Sequence, residues 1–269
     1  MAITHTLDPA TSVPAVPIRT IGAADLNASL REGMNDFLEM RGDLLFIGVI
    51  YTAIGLLAAV TALDHSITPF FFPLAAGLAL IGPIAALGFY ELARRREAGM
   101  DSDWSHFLDV RKRPAWEAIV TVSALLVAIF LAWIATAGAL YVAFLGHGPP
   151  ESIGTFVRAL FTTPGGWALI VLGNLAGLGF AILVMSLSVV SLPMLVDRDV
   201  DARTALASSI RAVRENKAAM MRWGFTVAAL LLLGSLPAFV GLAVVLPWLG
   251  YATWHLYTKL VDRSALPPG

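Results

Sequence analysis

Four side chains in this sequence combine reactive or strongly polar chemistry with an apolar setting: Glu91, Glu117, Asn174 and His255. An ionisable group inside a hydrocarbon layer costs at least about 2.5–3.5 kcal/mol on insertion scales, so it marks a proton path, an ion site or a catalytic centre wherever it is kept. Glu91 and Glu117 fall at the edges of apolar runs, beside Arg94, Arg95, Arg96, Arg111 and Arg113. Two readings are open for each: an interfacial anchor held by those arginines, or a proton or ion role. His255 stands in Trp254-His255-Leu256-Tyr257 near the end of the last apolar run, either as an interfacial hydrogen-bonding residue or as a contact for a partner or headgroup. Asn174 lies within Gly173-Asn174-Leu175-Ala176-Gly177. The Gly173/Gly177 spacing lets helix backbones approach closely. The expectation is therefore helix packing with one interhelical hydrogen bond, set against a substrate contact.

Much other chemistry is excluded. There is no cysteine, hence no disulfide, thiolate zinc site, iron–sulfur ligation or cysteine nucleophile. The other four histidines, His5, His65, His106 and His147, are scattered over tails and loops. A bis-histidine haem needs two that face each other, and a haem–copper centre needs several. Asp197-Arg198-Asp199-Val200-Asp201 resembles the start of a calcium loop, but Ala202 replaces the glycine and Ser208 the final glutamate. An acidic turn capping the next helix fits better. No nucleotide-binding glycine loop, HExxH or GxSxG stands in a credible context. No catalytic residue, cofactor or metal ligand is assigned.

The elements that carry these residues are set by composition. Hydrophobic residues make up 58% and charged ones 14%, with mean hydropathy +0.77; a soluble domain is nearer 45–50% and about 25%. The formal net charge of −1 gives no reason to expect nucleic acid. Apolar segments lie at about 44–63, 70–92, 118–144, 168–192 and 223–258. About 20 helical residues cross a hydrocarbon core, and the last segment, at about 1.5 Å per residue, is too long for one crossing. Gly234-Ser235-Leu236-Pro237 breaks it into helices near 222–236 and 239–258. The fold expected is all-α, with six transmembrane helices and short amphipathic interfacial helices.

Charge sidedness gives the same count. With six spans, the basic residues of 94–116, 197–222 and both termini fall on one side, and Arg158 alone on the other; by the positive-inside rule the basic side is cytoplasmic. Trp116, Trp223 and Trp254 are expected at the inner interface and Trp167 at the outer, with Trp133 and Trp248 as packing residues. Residues 1–20, with Pro9, Pro14 and Pro17, read as a flexible tail, 21–262 as one membrane domain and 263–269 as a C-terminal tail. From Asp25, Leu26, Leu30, Met34, Phe37 and Leu38 share a helical face expected to lie along the inner leaflet. Segment 201–221 repeats the design, with Ala205, Leu206, Ser209, Ile210 and Val213 opposite Arg203, Arg211, Arg214 and Lys217. A short outer turn holds Asp64 and His65, and a longer one, with His147, Pro149, Pro150 and Glu151, leads to a short outer helix around Phe156–Phe161. The partners expected are the bilayer, its anionic headgroups at the cytoplasmic face, and other membrane subunits or further copies of the chain.

An ordered set of motifs carries a family resemblance. Ser191-Leu192-Pro193-Met194-Leu195, the Asp197 to Asp201 run, Ser209 to Asn216, Leu246-Pro247-Trp248-Leu249-Gly250 and Ala252 to Tyr257 follow Leu30-Arg31-Glu32-Gly33 and Asp36-Phe37. Over roughly 20–260 the chain resembles the bacterial integral-membrane family catalogued as domain of unknown function 2189. Tyr251 departs from it, standing where members often carry a histidine. The resemblance implies a multi-pass protein of the bacterial inner membrane. Some members are labelled as cytochrome c oxidase subunits; the histidine inventory rejects a catalytic version and leaves a structural or accessory role in a membrane complex. A small oligomeric transporter or channel is the alternative, and a lipid-modifying enzyme using His255 with Glu91 or Glu117 is the third.

Overall fold

The computed structural model describes residues 16–61, 68–148, 150, 152–237 and 240–267. The expected tail over 1–15 with His5, the Asp64–His65 turn, Pro149 and Glu151 lie outside the described residues. The chain is helical almost throughout. Its helices are α1 (Ala23–Thr61), α2 (Phe71–Ala85), α3 (Leu87–Glu97), α4 (Trp116–Leu145) and α5 (Ile153–Thr162), followed by α6 (Pro164–Ser188), α7 (Ser191–Asp197), α8 (Ala202–Glu215), α9 (Lys217–Ser235) and α10 (Leu242–Leu260). Among the described residues the extended structure is one antiparallel bridge, Ile18 with Val261.

Among the described residues three stretches are long and apolar enough to cross a membrane: α4, the run Pro164–Asp197 comprising α6 and α7, and α9. They match three of the six expected spans. The other three are not confirmed, for separate reasons. The 44–63 segment is the second half of the continuous α1. The 70–92 segment is divided at Ala86 into α2, which contains Pro83, and α3. The 239–258 segment is α10, whose surroundings explain its composition. α10 is the axis of the bundle, packed against α1, α3, α7 and α9. It buries Tyr251, Trp254 and Tyr257 completely. A helix enclosed by protein can carry aromatic and polar side chains that a lipid-facing helix cannot. The break between α9 and α10 does fall at the Leu236–Pro237 end of the expected motif.

The periphery has the opposite character. Val171, Leu175 and Leu178 on α6, and Phe225, Leu232 and Leu233 on α9, face outward, as apolar side chains do toward acyl chains. Between α4 and α6, Trp133 lies over Gly177 and Phe180 and donates from Nε1 to the Pro73 carbonyl at 2.8 Å. It is the packing residue expected.

Three expected boundaries change. Most of the apolar stripe of early α1 is covered by α10 rather than by the leaflet: Leu26 and Phe37 are buried, a side-chain carbon at Gly33 would fall 2.6 Å from Ala252 Cα, and Leu38 alone of the stripe stays exposed. A helical period fixes a face but not what covers it. The tail does not run to residue 20. Val16 and Ile21 are buried, Arg19 N donates to Leu260 O at 2.7 Å, and Asp262 N donates to the Pro17 carbonyl at 3.1 Å. Proline, lacking an N–H, serves here as the acceptor. Asn216, at the α8–α9 joint, completes this clasp by accepting from Ile21 N at 2.8 Å and donating to Arg19 O at 3.2 Å. The C-terminal tail is likewise engaged, because Arg263 pairs with Glu97. Finally, the small face of α8, Ala205, Ser208, Ser209 and Ala212, is buried in protein.

Candidate functional site

At the end where residues 17–19 meet 260–262, α1, α3, α7 and α10 bring together most of the charged side chains that are paired across helices. Spacing places them. Glu32 and Asp36 are one turn apart on α1, and His255 and Lys259 are one turn apart on α10. The two pairs meet face to face. His255 Nε2 lies 2.7 Å from Asp36 Oδ2 and its Nδ1 lies 3.3 Å from Glu32 Oε2, while Lys259 donates to Glu32. Arg96 of α3 adds a third helix, through Nε to Asp36 Oδ1 at 3.2 Å and a further pair with Glu39. One helical turn before His255, Tyr251 is fully buried edge-on to Phe89 at 5.6 Å, its hydroxyl without a hydrogen-bond partner among the described residues.

A second group lies beside α7. Asp197 Oδ2 accepts from Tyr257 Oη at 2.8 Å and from Arg198 Nε at 3.0 Å, with Arg263 Nη1 at 3.7 Å. The Arg263 fork also holds Glu97, which accepts from Trp254 Nε1 at 3.1 Å. Burial alone would raise the Glu97 carboxyl, but Arg263 and the Trp254 N–H outweigh it and hold the group below its ordinary value. Burial disfavours the charged form of Arg263, and the partnership with Glu97 and Asp197 overcomes it. An open cleft of about 600 Å³ borders this group, lined by Arg94, Arg198, Arg263, Glu97 and Asp197.

Glu91 is almost sealed, with its side chain 1% exposed. Arg94 grips it through Nε at 2.9 Å and Nη2 at 2.7 Å, and Arg95 Nη1 stands at 3.9 Å. Arg95 also reaches Asp109 at 3.7 Å, in the loop where His106 lies between Asp109, at 2.8 Å, and Asp101, at 3.3 Å. Hydrogen bonds from Lys112 and then His106 hold the Asp109 carboxyl low.

The four residues singled out by sequence therefore go to different places. His255 and Glu91 join the network, in separate ion pairs. Glu117 is exposed in the first turn of α4. Asn174 is exposed on α6 and donates to Ile170 O at 2.7 Å in its own helix, in place of the expected interhelical bond. Gly177 does face α4 through Trp133, whereas Gly173 has open space where a side chain would go. Asp201 caps α8 by accepting from Thr204 N at 2.8 Å. Trp223 and Trp254 are buried in protein rather than placed in a belt, while Trp167 is exposed and packs edge-on to Phe161 at 6.1 Å. Sequence reasoning missed Glu32, Asp36, Glu97 and Arg263 as network members. The matched four-residue spacing of Glu32/Asp36 and His255/Lys259 was the available signal.

Apolar outward faces on helices long enough to cross a bilayer, closed at one end by inter-helix ion pairs, define an all-helical integral membrane protein. Residues 71–197, a little under half of the chain, match the family described as predicted integral membrane protein (DUF2189). The matched segment runs from the start of α2 to the end of α7. It includes Glu91, Glu117 and Asn174 and leaves α1, α10 and His255 outside. Comparison with curated proteins and with solved structures gives no match.

Proposed function

We propose that this chain is a non-catalytic structural or accessory component of a membrane complex, crossing the membrane six times with both termini in the cytoplasm. The observation that carries the reading is the state of its acid–base groups. A general base needs a free nitrogen or oxygen within reach of the proton it takes. Both ring nitrogens of His255 face carboxylates, and both oxygens of Glu91 are held by arginine. These groups join α1 to α10 and brace α3, which is a scaffold's use of charge. The topology draws support from the clasp. Residues 17–19 pair with 260–262, which supports placing the two ends on one side with an even number of crossings between them. The second half of α1, α2 with α3, α4, α6, α9 and α10 supply six. The positive-inside rule then puts the clasped, arginine-rich end in the cytoplasm.

Purification of tagged full-length protein in mild detergent, followed by mass spectrometry, tests the role. Repeated recovery of the same membrane proteins in fixed ratio is expected. Repeated recovery of a lone chain, at native expression level, overturns the reading.

A further inference from the structure

The cations of this protein fall into two populations. Arg94, Arg96, Arg198, Arg263 and Lys259 are each paired with a carboxylate. Arg203, Arg214, Lys217 and Arg222 have no carboxylate partner among the described residues, and all four are exposed. Arg203 and Arg214 share one side of α8, and Lys217 and Arg222 follow on the exposed surface of the first turns of α9. Exposed apolar groups alternate with them: Ile210 on α8, then Met221 and, at 78% exposure, Phe225 on α9. We propose that this α8–α9 stripe is a docking surface for the anionic lipids of the leaflet that α8 lies against.

Continuity with a membrane-crossing face supports this occupant. α9 is apolar enough to span, and Arg222 is its last charged residue. From Phe225 onward its outward side chains are apolar, including Leu232, Leu233 and Leu236. Along α9, charged surface therefore gives way to apolar surface within the turn between Arg222 and Phe225. Arg203, Arg214 and Lys217 precede it, at or beyond headgroup depth, where ammonium and guanidinium groups stay hydrated while Met221 and Phe225 reach inward. The charge chooses the lipid. Each basic group close to an anionic leaflet gains about 1 kcal/mol, a gain that a zwitterionic leaflet withholds. Glu215, next to Arg214, stands 3.5 Å from Arg211.

The surface is also fixed in shape. The opposite face of α8 is buried, Ser209 Oγ accepts from Val190 N at 3.2 Å, Asp201 caps the helix start, and Asn216 ties its end to the N-terminal segment. A rigid row of unpaired cations loses little entropy on meeting a charged plane. This inference is independent of whether the protein is an accessory subunit.

The test uses full-length protein in nanodiscs of phosphatidylcholine alone or with about one third phosphatidylglycerol. Native mass spectrometry reads the lipid retained, and thermal unfolding reads stability. The expected result is enrichment of phosphatidylglycerol on the protein and a higher midpoint in the anionic discs, both declining as salt is raised toward about 0.5 M. In the triple variant Arg203→Gln/Arg214→Gln/Lys217→Gln the enrichment falls by up to about fivefold per cation removed. A comparator, Arg111→Gln/Lys112→Gln in the other basic loop, keeps most of it. These positions are exposed, so the variants retain the fold, which the midpoint in phosphatidylcholine checks. The inference is overturned if phosphatidylglycerol is not enriched, if the triple variant retains the enrichment, or if the comparator loses as much. It is also overturned if inorganic pyrophosphate in phosphatidylcholine discs produces the same stabilisation, since a soluble anion would then be the occupant.

Discussion

Replacing Gly33 by alanine should weaken the bundle, while the same change at Gly173 should leave it intact or strengthen it. Both glycines lie in helix interiors, where alanine is favoured by about 1 kcal/mol. The difference lies in what the added carbon meets. At Gly33 it would fall 2.6 Å from Ala252 Cα and 2.8 Å from Ala252 Cβ, whereas ordinary contact begins at 3.4 Å. The obstacle is backbone, the Ala252 N being nearest of all, so no rotamer change relieves it, and α1 must draw back from α10 by about 1 Å. That movement loosens Leu26 and Phe37 and stretches the His255–Asp36 pair from 2.7 Å. Overpacking of this kind costs about 1–3 kcal/mol, with a backbone obstacle at the upper end. After the helix-propensity gain, a net loss of about 2 kcal/mol remains, or about 4–8 °C in midpoint for a domain of this size. At Gly173 nothing lies within 4 Å, so the variant should match the parent or exceed it by up to about 1 kcal/mol. Thermal unfolding in one detergent, followed by circular dichroism, compares the two. Equal midpoints, or a Gly33→Ala protein more stable than Gly173→Ala, would refute the close approach of α1 and α10.

Further predictions address the network, the clasp and the topology. Asp36→Ala leaves Arg96 Nε and His255 Nε2 without their shared acceptor and should cost about 2–3 kcal/mol; Glu39→Gln, at a side chain 62% exposed, should cost less than about 1 kcal/mol by the same unfolding assay. Glu97 is held below its ordinary 4.5 in the folded protein, so its contribution to stability is present above that value and lost as pH falls below it. The midpoint of the parent should accordingly drop more steeply on acidification below pH 4.5 than that of Glu97→Gln, and parallel profiles would refute the pairing. Asn216→Ala strands Ile21 N and should destabilise by about 1–3 kcal/mol, with faster hydrogen exchange at Ile21 as the specific sign. The chain has no cysteine, so single cysteines can be read without background. Ser105→Cys and Ser264→Cys should react with an impermeant maleimide only in opened cells, and Thr155→Cys in intact ones. The opposite pattern for either member of the first pair would overturn the even topology.

The class of this protein was legible because its outward-facing residues obey hydropathy. The α4 and α9 faces and the break near Pro237 follow from residue type alone. Residues facing other protein do not. Trp223 and Trp254 have the composition of belt residues and are enclosed by helices, since a tryptophan ring suits either place and the sequence does not say which surface it meets. The stripe from Leu26 to Phe37 gave a helix but not its cover, which lies more than two hundred residues away. Asn174 satisfied its amide within its own turn, an option open to any asparagine in a helix. For the charged site, each half could be seen: acids four apart on α1, bases four apart on α10. What joined them was the Gly33–Ala252 crossing, which sets their register and which composition does not encode.

The clasp between the chain ends also dictates an order of assembly. α1 leaves the ribosome long before α10: Leu260, whose carbonyl receives Arg19 N, lies 241 residues beyond Arg19. At about 5–20 residues per second, translation separates them by roughly 10–50 s. During that interval the half of α1 that will be buried by α10 has no permanent neighbour, and the acids Glu32 and Asp36 have no cation from α10. Whatever shelters that helix on the translocon must release it to α10 once α10 has been made. A premature stop before α10 would thus expose the early-made α1, and not only the newest residues, to quality-control proteolysis.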